Sequence, residues 1–138
     1  MCAKYGLDPR HLSLYPNQGV QPLTPHQVAD LDILMHRVEA GLSIMLSNDS
    51  GLGKTRELYA LVVLHTRLLE KKRTYDSTVA FKPSLIISTV PKIEQTAQES
   101  THFPDITLFV YYCDSGPSGS AQNTRHVGNL SSILEKLD

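Results

Sequence analysis

Charge of one sign is what this chain most plainly lacks. Its 13 Lys and Arg stand against 14 Asp and Glu, a formal net charge of −1. There is no basic stripe of the kind that marks a nucleic-acid surface. Cysteine is scarce: Cys2 and Cys113 match no metal spacing and suggest no disulfide framework, so a reducing compartment is the default expectation. No apolar run approaches the roughly 18 residues of a membrane span, and the first residues show no signal-peptide core. The 6 histidines include no pair four apart on a helix face, which argues against a histidine metal site. No internal repeat is present. At 138 residues the chain makes one domain at most, long enough to bury roughly two-thirds of its unfolded surface.

Against these absences one stretch stands out. Ile44-Met45-Leu46-Ser47 runs into Asn48-Asp49-Ser50-Gly51-Leu52-Gly53-Lys54-Thr55, an apolar segment opening into G-x-G-K-T. Such a sequence arises by chance in well under about 1% of chains of this length. Glycines let backbone N–H groups approach phosphate oxygens, and a following lysine reaches the β- and γ-phosphates. The threonine hydroxyl ligates Mg²⁺, and a helix N-terminus adds a favourable dipole. The expected site is therefore Gly51 to Lys54 as phosphate cradle with Thr55 as magnesium ligand. The standard spacing G-x-x-x-x-G-K-[ST] wants glycine at 48, where this chain has Asn48.

The rest of the chain supplies a setting. Residues 1–22 carry Pro9, Pro16, Pro22, Gly6 and Gly19 without apolar periodicity and read as an irregular arm. Thr24-Pro25 predicts a helix start, with Val28, Leu31, Ile33, Leu34, Met35 and Val38 on its apolar face and Gly41 as its stop. Leu42 to Ser47 reads as a strand. Lys54 to Lys72 predicts a helix with Leu58, Leu61, Val62, His65, Leu68 and Leu69 at helical spacing. Leu85 to Val90 reads as a second strand, Pro91 to about Ser100 as a weaker helix, and Ile106 to Cys113 as a third strand. Residues 115–128 read as a loop, and Leu130, Ile133, Leu134 and Leu137 mark a closing amphipathic helix. Strands alternating with helices predict an α/β fold with a small parallel sheet, whose outer edges would need cover from a partner or further chain. Lys71-Lys72-Arg73 suits a helix C-terminus better than an import signal. Tyr111-Tyr112 suits packing better than base stacking.

Two further motifs accompany the loop. Leu23-Thr24-Pro25-His26-Gln27 lies upstream, and Pro83-Ser84-Leu85-Ile86-Ile87 downstream. With G-L-G-K-T in full at 51–55, the arrangement resembles the N-terminal ATP-binding lobe of the Swi/Snf-type helicase-like ATPases. That family shows L-x-P-x-Q, then D-E-x-G-L-G-K-T, then P-x-L-I-[IV]. Here Asn48-Asp49 stand where the family has its acidic pair, and Thr96 follows Gln95 where it has tryptophan. The resemblance covers about Leu23 to Cys113. It implies a phosphate-loop (RecA-like) fold, a three-layer parallel sheet with flanking helices, as a partial domain over 23–138. It implies ATP and Mg²⁺ as ligands, Gln27 as reader of adenine, and Asn48, Asp49 and Ser50 beside the phosphates. It further implies DNA or chromatin as partner and a nuclear setting.

Hydrolysis in that family needs D-E-x-H to hold Mg²⁺ and position water, and arginines on a second lobe. No D-E-x-H occurs in this sequence, so no catalytic residue is assigned and the expectation is a truncated lobe that binds Mg-ATP without useful turnover. Two alternatives stay open. One is a degenerate, non-catalytic protein-interaction module. The other is another small phosphate-loop NTPase or kinase, for which neither N-K-x-D nor a nucleotide lid is visible.

Overall fold

The computed structural model describes residues 2–16, 18–49, 51–80 and 82–110. Its regular structure there is helical: α1 (Cys2–Tyr5), α2 (Pro25–Glu39), α3 (Lys54–Arg73) and α4 (Val90–Ser100). α2 begins where Thr24-Pro25 predicts. Thr24 is the N-cap, Pro25 occupies the first helical position, and the Gln27 side chain accepts the Thr24 N–H at 3.0 Å. That contact is the returning half of a capping box. The helix ends at Glu39, with the Gly41 N–H donating to the Val38 carbonyl at 3.0 Å. α3 carries Lys71, Lys72 and Arg73 in its last turn, where cations suit the carbonyl end of the helix dipole.

The expected three-layer parallel sheet is not found among the described residues. Residues 42–47, 85–89 and 106–109 run without regular secondary structure, and Val110 makes only an isolated bridge. Residues 111–113 of the third expected strand lie outside the described residues, as do the loop over 115–128 and the closing helix. A strand is complete only when its N–H and C=O groups meet a neighbour. No ladder joins these segments among the described residues. Their side chains agree: Met45, Leu85 and Ile87 are 89%, 85% and 87% exposed, whereas strands of a covered parallel sheet bury both faces. A β-branched apolar run is a composition, and composition does not provide the second strand. The α/β expectation is therefore corrected to a helical architecture, and no sheet edge among the described residues awaits a partner.

The core is the meeting of α2, α3 and the arm. Val28, Leu31, Leu34 and Met35 of α2 face Tyr59, Ala60, Val63 and Leu64 of α3, with Leu7, Leu14 and Tyr15 joining from the arm. Phe103, after α4, completes the cluster. Its ring lies 5.7 Å from that of Tyr59 and makes an edge contact with Tyr15 at 6.4 Å. Arg67 fastens this side. It donates to the Leu14 carbonyl at 3.3 Å, pairs with Asp105 at 2.7 Å, and lies over the Tyr15 ring at 5.0 Å.

α3 turns a different face inward from the one its leucines predict. Leu58 is exposed while Tyr59 and Ala60 are buried, and Leu61 and Leu68 sit only at the border of the core. Over residues 58–64 the helix is apolar all round, so the 3.6-residue period leaves its rotation to its neighbours. Among the described residues its other flanks line a smaller cleft beside Leu69 and Arg73 and two larger ones. One of about 280 Å³ lies with Leu42, Ile44 and Leu46. The other, about 800 Å³, is lined by residues of 82–86 and 105–109.

Candidate functional site

The phosphate-loop motif forms a turn that caps α3. The Leu52 N–H approaches the Asp49 carbonyl at 3.5 Å, and Gly53 is the N-cap of the helix, its carbonyl accepting the Glu57 N–H at 3.1 Å. Gly51 and Gly53 have φ of +89° and +82°, values that side-chain-bearing residues avoid. Gly53 is constrained a second time: a Cβ there would lie 2.5 Å from Gln27 Nε2. Both glycines are thus explained by the path of the loop.

Lys54 turns back into the loop. Its ammonium donates to the Asn48 carbonyl at 2.7 Å and the Asp49 carbonyl at 2.8 Å, which places one positive charge beside the helix N-terminus. An ammonium has three donors, of which these two carbonyls take two among the described residues. Thr55, half-buried, follows as the second residue of α3. Ser50 lies outside the described residues.

Two bonds tie the loop to α2. Gln27, 4% exposed, donates from Nε2 to the Leu52 carbonyl at 3.2 Å. One turn further along α2, Asp30 accepts from Asn48 Nδ2 at 2.7 Å. Asn48, where the motif's usual spacing wants glycine, has a job that glycine cannot do: its side chain moors the loop entrance to a helix. Gln27, expected as the reader of adenine, lies beside the loop with its amide engaged by the protein through Thr24 and through Leu52.

The structure adds residues that motif reading passed over. Asp30 could have been found as the residue one helical turn from Gln27 on the same face. Arg56 donates to Gln21 Oε1 at 2.8 Å and also to the Gln21 carbonyl, anchoring the arm to the first turn of α3. Glu57 is the least expected. It is fully buried, at 0% exposure, and neither carboxylate oxygen has a partner among the described residues. Burial, and then the Asp30 carboxylate, push its pKa above the ordinary 4.5, while His26 and Lys54 pull the other way. Its sequence signal is position: Glu57, Ala60 and Leu64 share a helix face at i, i+3, i+7.

Among the described residues no group of three or more His, Cys, Asp or Glu side chains could hold a metal ion, and no helix is long and apolar enough to cross a membrane. Among the described residues, none of these clefts beside α3 is lined by a residue of the loop. Tyr111-Tyr112 and Cys113 lie outside the described residues. No family model matches the chain, and no curated protein and no solved structure matches it.

Proposed function

We propose that this chain binds the polyphosphate of a magnesium nucleoside triphosphate such as Mg-ATP at Gly51 to Thr55. The observation that carries this is the joint placement of the glycine turn, the Lys54 ammonium and the N-terminus of the 20-residue helix α3. Backbone N–H groups at a helix start, a lysine and a hydroxyl are the donor set that phosphates and their Mg²⁺ call for. Magnesium keeps several waters and takes few protein ligands when phosphate oxygens are present. A single hydroxyl from Thr55 is therefore a sufficient protein contribution, and a cluster of acids is not required. The motif resemblance to Swi/Snf-type ATP-binding lobes supports the same ligand. Binding is as far as the residues reach, since the sequence holds no D-E-x-H to position an attacking water.

Titration calorimetry of the intact chain with Mg-ATP, beside Lys54→Ala, is the test. Binding at or below millimolar nucleotide is expected, weakened about tenfold or more in Lys54→Ala, in line with the ~1.5–3 kcal/mol of a charge-assisted hydrogen bond. Absence of binding at millimolar Mg-ATP would instead favour an interaction module, for which the exposed Leu85 and Ile87 provide apolar surface.

A further inference from the structure

Gln27 offers the loop's nearest means of telling one base from another, and its surroundings commit it elsewhere. We infer that the site recognises the polyphosphate and its magnesium without discriminating the base, and that Gln27 is a positioning residue that holds the loop in its phosphate-ready shape. The inference rests on the phosphate-binding reading above and narrows its ligand class to triphosphates of any base.

An amide reads adenine by presenting acceptor and donor together, as a bidentate pair to N6 and N7. In this chain Oε1 of Gln27 takes the Thr24 N–H and Nε2 gives to the Leu52 carbonyl. The residue is buried between α2 and the loop, so the amide edge is not turned out to meet a ligand. Withdrawing it to face a base would leave a backbone donor and a backbone acceptor unpaired in part-buried surroundings. The fit is close as well: Nε2 occupies space that a Cβ on Gly53 would need. The other amide of the site, Asn48, turns its Nδ2 to Asp30. Among the described residues, the clefts along α3 are lined by neither Gln27 nor the loop. What the loop does present is backbone N–H groups, one ammonium and one hydroxyl, and these are features that read phosphate.

Displacement of Mg-ATP from the intact chain by Mg-GTP, Mg-CTP and Mg-tripolyphosphate tests this directly. The three nucleotides are expected to bind within about threefold of one another, and tripolyphosphate to compete within about tenfold of ATP, less than one well-made base contact is worth. ATP held tenfold or more tighter than GTP and CTP overturns this inference and leaves phosphate binding standing. Failure of every triphosphate to bind overturns phosphate binding and the inference together. Gln27→Ala and Gln27→Glu supply a second readout: each is expected to weaken all three nucleotides by the same factor. A loss confined to ATP in either variant overturns the positioning role.

Discussion

Replacing Gly53 with alanine tests the geometry of the loop with one methyl group. At φ +82° the alanine pays the left-handed backbone cost of roughly 1–2 kcal/mol. Its Cβ also falls 2.5 Å from Gln27 Nε2, a separation that real contacts do not show, so the amide must move. Moving it breaks the 3.2 Å bond to the Leu52 carbonyl, a loss of about 1 kcal/mol. The total is about 2–3 kcal/mol. Gly51→Ala is the internal control. Its φ is +89°, but its Cβ would meet nothing within 4 Å, so only the backbone cost of about 1–2 kcal/mol applies. Urea unfolding followed by circular dichroism measures both. With a slope of about 1–3 kcal/mol per molar, Gly53→Ala should unfold at a midpoint lower by roughly 1 M or more, and Gly51→Ala by about half that. In the double variant Gln27→Ala/Gly53→Ala the clash is gone, so the two penalties should fall short of additivity by about 1 kcal/mol. Equal losses for the two glycines, or strict additivity in the double variant, would refute the packing of Gln27 against the loop.

Glu57 and Arg67 yield the remaining expectations. The folded chain keeps the Glu57 proton that the unfolded chain releases, because burial raises its pKa above 4.5. This contribution to stability is therefore most favourable below that value and declines as pH rises towards the folded pKa. Glu57→Gln removes the ionisable group, so it should flatten that decline and raise stability at pH 7 relative to the parent chain. Thermal melts from pH 4 to 8 check it, and an unchanged profile contradicts it. Arg67→Ala removes a carbonyl hydrogen bond, a half-exposed ion pair and a ring contact, together about 1–3 kcal/mol. Proteolysis within residues 2–22 should quicken accordingly, and a neutral result would mean that the arm is held by other contacts.

How much of this was legible in sequence follows from how local each feature is. The starts of α2 and α3 are written within a few residues, in Thr24-Pro25 and in Gly53-Lys54, and both appear where expected. The absence of a sheet among the described residues was not legible. Leu42–Ser47 and Leu85–Val90 have the composition of strands, but pairing depends on distant segments that composition does not specify. Leu7, Leu14 and Tyr15 show no periodicity, yet they enter the core from an arm that Arg56 and Arg67 tie to α3. The G-L-G-K-T loop was fully visible as a motif. Its moorings, Gln27 to Leu52 and Asn48 to Asp30, were not, because each joins α2 to a loop that no local pattern links to it. Glu57 was passed over because an acid in a first helical turn ordinarily faces water.

The central claim is that Gly51 to Thr55 grasp phosphate, and amide nuclear magnetic resonance of the ¹⁵N-labelled chain reads those N–H groups one by one. On titration with Mg-ATP the Gly51, Gly53, Lys54 and Thr55 amides should show the largest shifts, and in Lys54→Ala the shifts at positions 51, 53 and 55 should need about tenfold or more nucleotide to develop. Shifts that saturate elsewhere, with these four amides unmoved, would contradict the account.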